Sequence, residues 1–185
     1  MSVHSFKQIQ IIPATLDQTW DFFSNAANLP LITPPEMDFR ILPPPLVRQA
    51  NVPQPGDSSK PVAPADRIYA GQVIEYKLRP LPGIRLYWMT EITHVKDGVY
   101  FVDEQRFGPY SLWHHQHHFK ETNKGIEMTD IVHYKVPLGI LGDLANNLFV
   151  KRQLEGIFQY RTRKVDEIFG SGGSPGSPSP FRDDY

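Results

Sequence analysis

Histidines are the residues of this chain whose type and spacing most readily suggest chemistry, and five of the seven lie between residues 114 and 133. The segment from Trp113 to Phe119 carries four of them. In a β-strand its side chains alternate between two faces, which places His115 and His117 on the same face as the two aromatic residues. Large aromatic side chains favour a buried face of a sheet, so these two histidines are predicted to point into the protein.

A metal site is the first chemistry to consider for two such histidines. His115 and His117 would lie about 6.6 Å apart at ~3.3 Å per strand residue, and can share an ion only if a third ligand converges on them. The chain has no cysteine, so that ligand would have to be a carboxylate or another histidine. No third ligand is specified by the sequence, and we therefore expect neither a metal nor another cofactor.

A buried hydrogen-bond network is the interpretation that we prefer. A hairpin closed around residues 122–125 would place His117 opposite Asp130, with Cβ atoms about 5 Å apart. The same register pairs two further sets of inward-facing residues, namely Phe119 with Met128 and Trp113 with Tyr134. All of these residues are candidates for the wall of a ligand-binding pocket.

The preceding strand adds a second carboxylate. Phe101, Asp103 and Gln105 share one face of that strand, and the two polar residues could approach the inward-facing histidines across the turn that follows. A carboxylate that orients an imidazole can produce a general base, or the groups can simply satisfy one another. We favour a structural or ligand-orienting role, with catalysis by His117 and Asp130 as the alternative.

Aromatic residues are frequent in the predicted strands, namely Tyr76, Tyr87, Trp88, Tyr100 and Phe101. Such residues fill a core as readily as they line a cavity. We count Tyr87 and Phe101 among the candidate ligand-binding residues.

The hydropathy pattern predicts the elements that position these residues. Alternation with a period of two indicates five consecutive strands at residues 68–78, 84–95, 99–107, 112–121 and 126–136. Before them the sequence predicts a strand at 6–12, a helix opened by a capping box at Thr15 and Gln18, a short turn at 28–32 and a strand at 37–42.

After residue 139 the period becomes 3.6 and predicts one long helix from Leu141 to Phe169, with Leu148, Ile157 and Val165 facing inward. The basic residues of this helix, which include Arg161, are interpreted mainly as a solvated face. A curved antiparallel sheet cannot bury both faces by itself, so the helix is predicted to lie in its concave side. The fold class is α+β, and such an arrangement tends to leave a cavity between helix and sheet.

Composition limits the classes of function. The chain has 185 residues and a formal net charge of -1, which suits one domain and argues against a nucleic-acid binder. No apolar run reaches the ~18 residues of a membrane span, and no signal peptide is recognisable. We expect a cytoplasmic protein with one domain at residues 3–169, an irregular proline-rich loop at 43–66 and a flexible Gly/Ser/Pro tail at 170–185.

Short motifs recur here in a specific order: Trp20-Asp-Phe-Phe23, Asn28-Leu-Pro30, Thr33-Pro-Pro35, Phe101-Val-Asp-Glu-Gln105, Gly108-Pro-Tyr110, the Trp113–Phe119 segment, Thr129-Asp-Ile-Val-His-Tyr134 and Pro137-Leu-Gly-Ile-Leu-Gly142. Together they resemble the SRPBCC superfamily of START-type and pollen-allergen-like helix-grip proteins, in particular its bacterial, largely uncharacterised ligand-binding branch. The resemblance covers nearly all of residues 3–169 and departs from the pattern at the longer 43–66 loop. It implies a curved sheet of six to seven strands around one long C-terminal helix, two short helices after the first strand, and a hydrophobic ligand.

We therefore expect the protein to bind or carry a hydrophobic small molecule, such as a lipid, an isoprenoid or an aromatic metabolite, between the sheet and the C-terminal helix. The alternative is a cyclase- or dehydratase-like enzyme that uses His117 and Asp130 as its acid–base pair. A third possibility is an interaction protein whose proline-rich loop is the working surface. Ligand binding is favoured because the sequence supplies no complete catalytic set.

Overall fold

The computed structural model describes residues 2–43, 67–81 and 83–170. Apart from Pro43 and Gly170, the proline-rich loop and the C-terminal tail predicted from the sequence lie outside these residues.

Seven strands of the described residues form one antiparallel sheet in the order β1-β7-β6-β5-β4-β3-β2. The strands are β1 (His4–Ile12), β2 (Arg40–Ile41), β3 (Val73–Leu81), β4 (Ile84–Lys96), β5 (Tyr100–Phe107), β6 (Leu112–Thr122) and β7 (Gly125–Lys135). Strands β3 to β7 are the predicted five-strand meander, and β1 closes its far edge by pairing with β7. The predicted α+β class and the curved sheet are confirmed.

The connection between β1 and β2 contains helix α1 (Leu16–Phe23) and two short 3₁₀ helices, Ala26–Ile32 and Pro35–Met37. The predicted capping box is present: the Thr15 side chain accepts from the backbone N–H of Gln18, and the Gln18 side chain accepts from the Thr15 N–H.

The strand predicted at residues 37–42 is reduced to the two residues of β2. Met37 ends the second 3₁₀ helix, and Asp38 has a left-handed conformation with φ 42°. A left-handed residue interrupts an extended chain, so pairing with β3 begins only at Arg40.

The long C-terminal helix is confirmed, but its first turns differ from the prediction. Helix α2 (Ile140–Ala145) leads into a π-helical stretch (Asn146–Val150), and helix α3 spans Lys151–Gly170. A π turn holds an extra residue per turn and therefore shifts the phase of an apolar stripe. Val165 is buried and Ile157 half-buried as predicted, whereas Leu148 is 57% exposed and does not face inward.

Helix α3 packs across one face of the sheet. Val165 and Phe169 join a core cluster with α1 and the middle strands, while Leu154 and Phe158 pack against β7. This inner face carries the candidate site. Within the described residues, no helix is both long and apolar enough to cross a membrane.

Candidate functional site

Strand β6 places two histidines between two carboxylates. His117 lies opposite Asp130 of β7, and His115 lies opposite Asp103 of β5. Both histidines and Asp130 are buried. The register predicted for the β6–β7 hairpin, including the pairing of Phe119 with Met128, is confirmed.

The four side chains, Asp103, His115, His117 and Asp130, form one compact acid–histidine cluster. Nε2 of His117 lies 3.0 Å from Asp103 Oδ2, and Nε2 of His115 lies 3.0 Å from Asp130 Oδ1; both pairs are hydrogen bonded. The remaining nitrogens also face carboxylates: Nδ1 of His115 is 3.4 Å from Asp103 Oδ2 and Nδ1 of His117 is 2.8 Å from Asp130 Oδ1. The last contact is close but lacks hydrogen-bond alignment. Each imidazole therefore bridges the two carboxylates.

Arg161 of α3 completes the charge distribution, and sequence reasoning missed its role. Its guanidinium lies 3.8 Å from Asp130 Oδ1, and its side chain is only 13% exposed. The group also lies over the rings of Phe23 and Phe158. Arg161 follows Phe158 by three residues and precedes Val165 by four, which places it on the inward-facing side of the helix. This spacing was the sequence signal that Arg161 could reach the site.

Burial and charge act against each other in this cluster. Burial raises the pKa of Asp130, but Arg161 and the two histidines more than offset this and hold it well below the usual range. The pKa of Asp103 is also lowered, because the nearby histidines outweigh the effect of burial.

The two histidines shift in opposite directions. Burial and the neighbouring His117 lower the pKa of His115. Burial also opposes protonation of His117, yet its contacts with Asp103 and Asp130 raise its pKa overall. Two carboxylates thus face two imidazoles and one guanidinium, and His117 is the imidazole that they make easier to protonate.

A cavity of about 230 Å³ lies between the inner face of the sheet and α3. The candidate residues in its wall are Phe101, Asp103, Trp113, His115 and His117, beside Tyr76, Trp88, Leu154, Ile157, Phe158 and Arg161. Most of this surface is apolar. The acid–histidine cluster and Arg161 supply a polar region in one wall.

Four other candidates are buried but do not line the cavity. Phe119 and Met128 pack into the core against α1, and Tyr134 packs beside Tyr110 and Trp113. Asp130 contacts the histidines without reaching the cavity wall. These residues support the site rather than contact its interior.

Gln105 and Tyr87 lie elsewhere. The Gln105 side chain donates to the Tyr110 carbonyl at 2.6 Å and accepts from the Tyr110 N–H at 3.2 Å, so it closes the β5–β6 turn instead of approaching a histidine. Tyr87 packs against Phe107, away from the cavity. Its neighbour Trp88 takes the inward position, because adjacent strand residues point to opposite faces.

A second polar spot is satisfied within the protein. Thr90 Oγ1 accepts from Nε1 of Trp88 at 3.0 Å and lies 3.1 Å from the Tyr76 hydroxyl. Burial raises the pKa of Tyr76, so this hydroxyl stays protonated. These three residues line the cavity without offering a strong unfilled donor.

Similarity to known proteins is visible in structure and not in sequence. No protein-family model matches the chain, and no curated protein matches it. The protein TTHA0849 from Thermus thermophilus superposes with a TM-score of 0.65 at 14% identity, over 92% of this chain and 100% of that one. The ginseng major latex-like protein 151 from Panax ginseng gives 0.60 at 10% identity, over 90% and 97%. The chain has the helix-grip fold.

A third structure, Ms6760 from Mycobacterium smegmatis, superposes on this chain with a TM-score of 0.59 at 12% identity, over 94% of this chain and 99% of that one. The fold expected from the sequence motifs is therefore confirmed. Because a helix grip can host many chemistries, the function has to be argued from the residues of the cavity.

Proposed function

We propose that this protein binds a small apolar molecule with an oxygen acceptor at one end, held in the cavity between the sheet and α3. One observation carries the proposal. The guanidinium of Arg161 borders an apolar cavity, is mostly buried, and makes no hydrogen bond within the described residues. A guanidinium has five N–H donors, so it can donate hydrogen bonds to an oxygen atom of a ligand in the cavity.

The apolar walls support a hydrophobic ligand body. Phe101, Trp88 and Trp113 present ring surfaces to the cavity, and Ile157 and Leu154 of α3 lie across from them. The volume is just below the ~300 Å³ at which pockets for drug-sized molecules begin. A compact aromatic or short isoprenoid skeleton suits this space better than a long acyl chain.

The two buried carboxylates favour a neutral acceptor over an anion. Asp103 lines the cavity, and the guanidinium of Arg161 already faces Asp130 at 3.8 Å. A ligand carboxylate would add an uncompensated negative charge in a buried site, which is unfavourable. A carbonyl or hydroxyl oxygen fills the free donors of Arg161 without that cost.

The test uses two ligands of the same shape, indane and 1-indanone, which differ by one carbonyl oxygen. Trp88 and Trp113 line the cavity, so tryptophan emission reports binding. A hydrogen bond to a charged group contributes about 1.5–3 kcal/mol. We therefore expect 1-indanone to bind tighter than indane by about tenfold or more.

Arg161→Met keeps an apolar stem and should abolish the preference for 1-indanone, while indane binding persists. The control is Arg163→Met, two residues along the same helix and exposed, which should leave the preference intact. Equal affinities of the unmodified protein for both compounds, or no binding of either, would contradict the proposal.

The enzymatic alternative has one specific observation in its favour: Nδ1 of His117 lies 2.8 Å from Asp130 Oδ1, and both groups are buried. A carboxylate that orients an imidazole can produce a general base. A cyclase- or dehydratase-like enzyme acting through His117 and Asp130 would retain ligand affinity in His117→Ala and lose rate by about 10²-fold or more. A ligand-orienting His117 would instead lose affinity.

A further inference from the structure

We infer that Asp103, His115 and His117 form a binding site for one divalent transition-metal ion of the Zn²⁺ type. The inference rests on the positions of ligand atoms and does not depend on the apolar ligand proposed above. A metal bound by two histidines requires a third converging ligand. Asp103 of β5 supplies it, because one ligand atom from each of the three residues lies within 4.8 Å of the others.

Two of the distances between ligand atoms are close to the edge of a tetrahedron. A zinc ion with bonds of about 2.0–2.1 Å separates its ligand atoms by roughly 3.3–3.4 Å. Asp103 Oδ2 lies 3.4 Å from His115 Nδ1 and 3.0 Å from His117 Nε2. Either imidazole nitrogen can bind a metal, so both histidines offer a ligand atom beside the Asp103 carboxylate.

Asp130 occupies the position of an outer-shell partner. In metal sites the second nitrogen of a ligating histidine usually contacts a carboxylate, which fixes the ring and raises its basicity. Here the second nitrogens of both histidines, His115 Nε2 and His117 Nδ1, lie 3.0 and 2.8 Å from Asp130 Oδ1. The guanidinium of Arg161 lies 3.8 Å from the same oxygen.

The fourth coordination position would open into the cavity, because all three ligands line it. Two imidazoles and one carboxylate suit zinc or ferrous iron, and the absence of cysteine argues against softer ions. Three protein ligands with an open fourth position are typical of catalytic rather than structural zinc sites.

The test is a titration of tag-free protein with Co²⁺ and with Zn²⁺. The protein is first stripped of metal with EDTA, and its fold is then checked by circular dichroism. Bound Co²⁺ should give the intense visible absorption of a four-coordinate ion, at about one ion per chain. Calorimetry with Zn²⁺ should show Asp103→Asn weakening the affinity by more than about 100-fold, and Asp130→Asn by about 10–100-fold.

The matched control is the double variant His114→Ala/His118→Ala. Its two histidines lie on the same strand but point to the opposite face, where they contact Glu104 and Gln116. This variant should bind cobalt as the unmodified protein does. Absence of cobalt absorption in the unmodified protein, loss of it in the control, or full zinc affinity in a folded Asp103→Asn would each overturn the inference. Because zinc affinity and indanone affinity are measured separately, either proposal can fail alone.

Discussion

Ionisable side chains are rarely buried beside aromatic rings unless their charges are compensated, and the acid–histidine cluster shows how this is done here. The imidazole of His117 stacks on Phe101 at 4.0 Å, yet both of its nitrogens face carboxylates. A buried ion pair gains from Coulomb attraction about what it loses in desolvation. Removing one member, however, takes away one of the contacts that compensate its buried partners.

A double-mutant cycle tests this coupling. His117→Ala and Asp130→Ala should each lower the free energy of unfolding by about 1–3 kcal/mol, because each removes a contact that compensates a buried polar group. The double variant should lose less than the sum of the single losses, by about 0.5–3 kcal/mol. Urea unfolding in chelating buffer measures all four states.

A second cycle between His118→Ala and Asp130→Ala serves as the control. His118 lies next to His117 in sequence but on the outer face, where it contacts Gln116. This pair should be additive within about 0.5 kcal/mol. Additive effects in the His117 cycle as well would show that the two side chains do not interact energetically.

Much of the site could be predicted because β6 obeys a simple rule. Alternation determines which histidines point inward, and the hairpin turn determines the register with β7. Both predictions depend only on local sequence, and both are confirmed by the pairing of His117 with Asp130.

What could not be predicted depends on non-local packing. Arg161 reaches the cluster only because α3 crosses the sheet at that point. The π-helical stretch moved Leu148 away from the core, and no sequence period specifies such a turn. The Gln105 side chain forms hydrogen bonds with the Tyr110 backbone. Alternation along one strand predicts the face on which a side chain lies but not its hydrogen-bond partner.

The β6–β7 hairpin also depends on one glycine. Gly125 has φ +119°, and an added Cβ would collide with the carbonyl oxygen of Ile12 at the end of β1. Gly125→Ala should therefore destabilise the protein by about 1–3 kcal/mol. Thermal unfolding followed by circular dichroism would show a lower Tm.

Gly156 provides the opposite case on α3. It is exposed in the helix interior, and nothing lies within 4 Å of an added Cβ. Alanine is favoured over glycine in helices, so Gly156→Ala should stabilise the protein by about 0.5–1 kcal/mol. A Tm for Gly125→Ala at or above that of the unmodified protein would show that the role assigned to Gly125 is wrong, and a lower Tm for Gly156→Ala would contradict the prediction for α3.

Wrapping the sheet around α3 buries phenol groups as well as apolar side chains. Burial raises the pKa of Tyr110 to about 12, with a smaller contribution from Tyr134. Burial also raises the pKa of Tyr76, whose hydroxyl lies beside Thr90. Both tyrosines line the cavity, so their protonation is linked to the stability of the whole domain.

This linkage predicts loss of stability at alkaline pH. A tyrosine titrates near pH 10 in the unfolded chain, so above that pH the folded state binds protons that the unfolded state has released. Below pH ~10 this linkage should not change the free energy of unfolding. Above pH ~10 the free energy of unfolding should fall by about 1.4 kcal/mol per pH unit for each buried tyrosine. For Tyr110 the decline should end near pH 12. Urea unfolding at a series of pH values should show a shallower decline in stability for Tyr110→Phe. The control Tyr69→Phe, at a position 62% exposed, should match the unmodified protein. Identical slopes for all three proteins would mean that Tyr110 is not protected by the fold.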